Sequence, residues 1–250
     1  MLGEIKENSY GTKMKVIEYR SYDDFDVQFL DEHGYIKEHA SHSSFKNGQI
    51  KNPYDISVYE SGYIGVGKHL VAINKRHTEV YDFWSSMLRR CYSNGSKHVN
   101  PSYFHKCYVC EEWKNMQTFG DWYEENKYDC VGRLHLDKDI LYPGNDTYCP
   151  EKCMLVPQYI NAMFVNKPNK RGLPNGIKLT SNNKYLSQFN GKYIGTYNTL
   201  EEAFLVHAIA KENRIKEIAN LHKNELPKKV FDALMNYEVK IENDKNYVAK

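Results

Sequence analysis

Near the N-terminus, apolar and polar residues alternate with a period of two. In DFDVQFL, Phe25, Val27 and Phe29 are separated by Asp26 and Gln28, which is the pattern of a strand with one buried face. MKVIEYR before it and YIKEHA after His33-Gly34 read the same way, so residues 1–68 are expected to form a small β-rich domain. Lys46, Asn47, Gly48 and Pro53 mark turns behind the last of these strands. SGYIGVGKH at 61–69 has too many glycines for a core element and lacks the G-x-x-x-x-G-K-[ST] spacing of a phosphate loop, so a flexible connector is expected there.

The period lengthens at Glu79. EVYDFWSSMLRRC brings Val80, Phe83, Trp84, Met87 and Leu88 together at helical spacing. After the loop SNGSKHVNPSY a second helix is expected from near Glu111, with Trp113, Met116, Phe119, Trp122 and Tyr123 as a core stripe rather than a base-stacking platform. RLHLDKDI then alternates Leu134, Leu136 and Ile140 with polar residues, YPGNDTYCPE is dense in turn formers, MLVP is a short apolar strand, and VPQYINAMF starts a helix with Pro157 at its entry. Strand, loop, strand and helix make a compact ββα unit inside an expected domain at 76–166. Polar residues of its first strand and of its helix can converge on one point.

The last domain is expected at 172–250, after the linker NKPNKRGLPNG. GIKLTSNNKYLSQFNGKYIGTYNT carries three short strands joined at Asn182-Asn183 and Asn190-Gly191, the second pair being a strong hairpin signal. Thr199, with Glu202 three residues on, opens the helix TLEEAFLVHAIAKENRIKEIAN through a capping box, and Ala203, Val206, Ala210 and Ile218 supply its apolar face. The chain as a whole reads as α+β: a small N-terminal β-domain, a central ββα unit with flanking helices, and a C-terminal three-stranded sheet with a helix.

Composition sharpens this picture in three places. A hydrophobic fraction of 41% with 21 tyrosines suits several small cores finished by amphipathic aromatics better than one large apolar centre. There is no run of about 18 apolar residues and no apolar core to the N-terminal segment, so no membrane partner and a cytoplasmic location are expected. The net charge of +2 conceals an asymmetry: residues 166–250 hold 15 Lys and Arg against 9 Asp and Glu, while residues 1–165 hold 19 against 23. A basic C-terminal region points to nucleic acid, with Lys178, Lys184, Gln188 and Lys192 on the free sheet face or its turns as contact residues. The acidic N-terminal domain is a poor phosphate reader and suits a protein partner better.

The six cysteines are sparse for a disulfide framework. Cys107-x-x-Cys110 and Cys149-x-x-x-Cys153 have knuckle-like spacings, and the four thiols together make a candidate structural Zn²⁺ site.

Two stretches resemble known families. LDKDILYPGNDTYCPEKCMLVPQYIN at 136–161 resembles the HNH endonuclease fold of bacteriophage and homing enzymes, and residues 175–220 resemble the APETALA-two-type DNA-binding domain that phage homing endonucleases also carry. The wider run from WSSMLRRCY through VCEEW, FGDWY, LDKDIL, GNDTYCPEKC and VPQYIN is similar to a recurrent phage protein of the HNH-like class.

That resemblance implies a metal-dependent, site-selective DNA endonuclease using Mg²⁺ or Mn²⁺. Asp137 falls at the metal-binding acid and Asn161 at the helix ligand, with Asp139 or His135 assisting as metal ligand or base. The middle positions depart from the pattern. Lys138 stands where the general-base histidine is expected and Cys153 where the central asparagine is expected. Histidine titrates near 6.5 and lysine near 10.4, so Lys138 as a base requires a strongly depressed pKa, and contact with the scissile phosphate is its other role. Strand alternation sets His135, Asp137 and Asp139 on one face and Lys138 on the other. The rival function is a non-catalytic DNA-binding or regulatory phage protein that retains the HNH frame.

Overall fold

The alternating apolar residues of the N-terminal segment meet across an antiparallel meander. Strands β1 (Ile5–Glu7), β2 (Lys13–Ser21), β3 (Asp24–Phe29) and β4 (Ile36–Ala40) pair in chain order in a computed structural model that describes residues 1–99, 103–165 and 169–248. The expected loop at 93–103, the linker at 166–176 and the end of the last domain therefore lie partly outside the described residues, at 100–102, 166–168 and 249–250. The mixed helix and sheet content, with a sheet of four strands first and a three-stranded sheet followed by a helix later, is the α+β class expected. The chain divides into two compact units, Met1–Glu125 and Asn126–Lys250, and the division falls inside the segment 76–166 that the sequence pattern suggests as one domain. Among the described residues no helix is long and apolar enough to cross a membrane.

In the first unit, Met14 lies opposite Phe29 and Val16 opposite Val27. These side chains, with Phe25, Ala40, Phe45 and Ile50, form a buried cluster. Ser41 caps the short helix α1 (His42–Lys46) by accepting the Ser44 amide, which presents Phe45 edge-on to Phe25 with centroids 5.7 Å apart.

The helical part of this unit is built on tryptophan. Helix α2 (Glu79–Tyr92) starts at Thr78, whose side chain accepts the Tyr81 amide, and buries Val80, Trp84, Met87, Leu88 and Cys91. The aromatic stripe after it is broken in two: α3 (Glu111–Lys114) ends at Asn115 and α4 (Met116–Asn126) follows at once. The break has a cause in hydrogen bonding. Asn115 accepts the Gln117 amide through its own side chain, and the Met116 amide donates to the Tyr63 carbonyl instead of continuing the first helix. Trp84 donates its indole N–H to the Trp113 carbonyl at 2.8 Å, and Trp113 packs on Trp122 and Phe119.

The glycine-rich run 61–69 is not the flexible connector its composition suggests. It is laid against α2 and α4: the Tyr63 amide donates to the Lys114 carbonyl, and Gln117 donates to the carbonyls of Ile64 and His69 while accepting the His69 amide. The glycines are needed for closeness. A Cβ on Gly62 would lie 2.3 Å from Leu88 Cδ1 and 2.7 Å from the Trp84 ring, and one on Gly67 would lie 2.4 Å from Gln117 Oε1.

The second unit has two cores joined by one helix. Strand β5 (Leu134–Asp137) pairs antiparallel with β6 (Met154–Pro157), and β6 runs directly into α5 (Gln158–Asn161). Strands β7 (Ile177–Leu179), β8 (Tyr185–Phe189) and β9 (Lys192–Tyr197) form the three-stranded sheet, turning at Asn183 and at Asn190-Gly191, all three with positive φ as the hairpin signal requires. Helix α6 (Leu200–Leu221) opens with the expected capping box at Thr199 and Glu202. Its first half packs Ala203, Phe204 and Ala208 with Ile177 under the sheet. Its second half packs Ile215 and Ala219 with Ile140, Met154, Val156 and Ile160, and helix α7 (Lys228–Met235) adds Val230 and Leu234 to the same cluster.

The buried face of α6 is rotated from the one the apolar residues suggest. Ala203 is buried as expected, but Val206, Ala210 and Ile218 sit at its edge and the polar His207 lies within it.

Replacing Gly62 by alanine is expected to lower the stability of the first unit by about 1–3 kcal/mol through overpacking against Trp84 and Leu88, whereas Gly95→Ala, which meets nothing closer than 3.7 Å, leaves it within about 0.5 kcal/mol. Thermal unfolding followed by tryptophan fluorescence compares the two; equal midpoints would mean that the 61–69 run is loosely held.

Candidate functional site

Asp137 ends β5, and its carboxylate is what ends it. Oδ1 accepts the amides of Asp139 at 2.8 Å and Ile140 at 2.7 Å, folding the chain back over the aspartate as an Asx-type turn. The strand therefore stops before Asp139, and the single face expected to carry His135, Asp137 and Asp139 exists only for the first two. Asp139 turns outward into the loop, where its Oδ1 accepts from Lys138 Nζ at 2.8 Å.

Lys138 is 3% exposed. Its ammonium also donates to the Asn145 carbonyl and lies 6.0 Å from the centre of the Tyr148 ring. Asn145 returns two bonds, to the carbonyls of Lys138 and Thr147, and accepts the Thr147 amide. The loop of residues 138–147 is thus closed on a buried cation. In this arrangement Lys138 is a structural clasp, and the roles of base or phosphate contact expected for it require that clasp to open.

His135 and Asn161 do come together. Val156 stands opposite His135 in the β5–β6 ladder, and the helix that follows carries Asn161 back over the hairpin, where its side-chain nitrogen is 3.1 Å from His135 Nδ1. This strand-to-helix convergence is the one element of the expected HNH constellation that the geometry assembles.

Burial governs the electrostatics of Asp137. Only 8% of the residue is exposed, and desolvation pushes its carboxyl up to about 6; the Asp139 charge pushes the same way, while the Ile140 and Asp139 amides and Lys138 pull it back. Oδ1 of this carboxylate accepts two amides and the neighbouring cation is Lys138; among the described residues no group of three or more His, Cys, Asp and Glu is gathered.

No disulfide joins the six cysteines. Cys149 and Cys153 share one turn, in which the Cys153 amide donates to the Cys149 carbonyl, and burial pushes both thiols up, Cys153 strongly. Cys107 and Cys110 lie in the first unit.

The expected DNA-contact set is divided by the sheet. Lys178 pairs across to Leu186, which pairs to Thr196, and this row faces away from the row of Ile177, Ser187 and Gly195 that lies against α6. Lys178, Lys184 and Lys192 are exposed. Gln188 is half-buried, with its carbonyl accepting from His207 at 2.8 Å and its amide donating to the Gly176 carbonyl. A Ser187/Gln188 register shift takes it out of the regular alternation. Tyr193, 65% exposed, with its hydroxyl 3.2 Å from Thr196 Oγ1, belongs with the exposed lysines and was foreshadowed only by the tyrosine content.

No protein-family model matches the chain, and comparison with curated proteins and with solved structures likewise finds no match.

The buried acid has a pH signature. Because its carboxyl titrates higher in the folded chain (about 6) than the ordinary aspartate value near 3.9, the native state holds the extra proton between those values. Stability contributed by Asp137 is then expected to fall as pH rises through that window, by about 3 kcal/mol, and to stay low above it. Asp137→Asn keeps an oxygen for the two amides and removes the charge, so the variant loses this pH dependence and is more stable than the parent at pH 8 in urea unfolding without divalent metal. A variant less stable at pH 8 would mean that the carboxylate is held by a partner charge.

Proposed function

We propose that this chain is a double-stranded-DNA-binding protein of the phage type, in which the three-stranded sheet β7–β9 supplies the contact surface and the ββα unit is a framework that carries it. The observation behind this reading is the outer face of that sheet and its turns. Lys178, Lys184 and Lys192 are exposed there beside Tyr193 and Thr196, a set able to contact phosphates through the ammonium groups and base edges through the hydroxyls. The buried Asp137 turn and the Lys138 clasp support a framework role for the hairpin, since both side chains spend their polar atoms on the loop backbone and its neighbours.

A second reading, metal-dependent DNA cleavage of the HNH type, is favoured by the His135–Asn161 contact at 3.1 Å. It requires Asp137, whose Oδ1 serves the turn, to offer its carboxylate to a Mg²⁺ or Mn²⁺ ion. The structural Zn²⁺ expected from the cysteine spacings is tested by metal content of the purified protein.

Gel shifts with duplex DNA across a salt series, run beside supercoiled-plasmid nicking in Mg²⁺ and Mn²⁺, separate these readings. Binding without nicking is expected, and Lys178→Ala and Lys192→Ala each weaken it and reduce the logarithmic salt slope by about one. Nicking that EDTA and Asp137→Ala both abolish would establish the second reading, and duplex affinity unchanged in both lysine variants would remove the sheet face from the first.

A further inference from the structure

On α6, His207, Lys211, Arg214 and Ile218 recur at spacings of four, three and four, which aligns them along one stripe of the helix. This stripe runs through the middle of α6, between the core under the sheet and the core under the hairpin. It forms one wall of a cavity of about 490 Å³, a volume within the usual range for small-molecule sites. Asn175, Gln188 and Asn190 also line the cavity, while Tyr159, Met163 and Phe189 give it an apolar and aromatic side.

The cavity carries three basic side chains and its lining includes no carboxylate. Of the carboxylates nearby, Glu217 pairs with Arg214 of this wall at 2.8 Å, while Glu212 accepts the Val239 amide and Asp244 accepts the amides of Asn175 and Asn246. Lys211 is half-buried, and its ammonium makes no hydrogen bond or ion pair among the described residues and lies 5.9 Å from the centre of the Phe164 ring. Burial pushes its pKa down, with the more distant Asp244 charge as the opposing influence. A cation withdrawn from water without an anion beside it is costly, and a bound anion would offset that cost.

The geometry around His207 is built rather than incidental. Its Nδ1 lies 2.8 Å from the Gln188 carbonyl, which fixes Nδ1 as the donor and leaves Nε2 as the ring atom able to accept or to take up a proton. The ring fits only because residue 176 is glycine: a Cβ there would lie 2.3 Å from His207 Cε1 and 2.7 Å from the Gln188 carbonyl, and its φ of +84° suits glycine as well.

We propose that this cavity is a binding site for a phosphate monoester carrying a planar ring, with Lys211 and Arg214 on the phosphate, the amides of Asn175, Gln188 and Asn190 on polar edges, and Phe189 and Tyr159 beside the ring. A free mononucleotide and the 5′-phosphorylated end of a DNA strand share this chemistry. The site lies on the helix side of the sheet and does not depend on the outer face acting as the duplex contact.

Isothermal titration calorimetry on the full chain uses five probes: inorganic phosphate, deoxyadenosine 5′-monophosphate, deoxyadenosine, and one short single strand with a 5′-phosphate or a 5′-hydroxyl. The monophosphate or the 5′-phosphorylated strand is expected to bind at one site per chain and more tightly than its unphosphorylated counterpart, and whichever binds more tightly identifies the source. Lys211→Met, which keeps the length of the side chain, weakens that binding about tenfold to a hundredfold with an unchanged or raised melting temperature, while Lys229→Met, an exposed lysine on α7 outside the cavity, leaves it unchanged. The proposal is overturned if no phosphate-bearing probe binds, if the unphosphorylated probes bind as well, or if both lysine variants behave alike. Loss of binding here with duplex binding intact, or the reverse, distinguishes this site from the sheet surface.

Discussion

The second unit depends on how the chain turns at Asp137. By accepting the Asp139 and Ile140 amides, the carboxylate ends β5 and brings Ile140 into the cluster it shares with Met154, Val156 and Ile160. Lys138, the next residue, closes the loop that follows by binding the Asn145 carbonyl and Asp139. Two adjacent ionisable residues are therefore used to shape a hairpin, at the expense of burying both charges. The chemistry expected of an HNH acid and the chemistry of an Asx turn draw on the same carboxylate, and in this geometry the turn has one of its oxygens.

Much of the fold was legible from periodicity. Strands β2 to β4, α2, the β5–β6 hairpin, the three strands β7–β9 and the capped start of α6 all fall where the sequence pattern suggests, while β1 carries too short a pattern to be read. Long-range packing escaped that kind of reading. The run 61–69 looks like a linker because glycine is ordinarily read as permissive, yet Gly62 and Gly67 are there to let the backbone touch Trp84 and Gln117. The stripe through Asn115 looks like one helix because the apolar spacing continues across a break set by hydrogen bonds to Tyr63.

The candidate site was legible in parts, for a related reason. His135 and Asn161 meet as the strand-and-helix arrangement suggests, since each is fixed by a regular element. Asp139 does not join them, because extending the strand by two residues ignores what an aspartate side chain does to the amides that follow it. On α6, a search for apolar residues misplaces the buried face, because His207 and the half-buried Lys211 belong to it and nothing in their residue types says so. Polar residues drawn into a helix's inner face become visible only once the sheet and the hairpin are both laid against it.

Helix α6, 22 residues and about 33 Å long, belongs equally to the core under the sheet and to the core under the hairpin. The hairpin and the three-stranded sheet therefore share a keel. Neither can be exchanged for a homologous part by recombination at the linker alone, since the donor would have to bring a helix matching both cargoes. Substitutions along α6 are constrained from two sides at once.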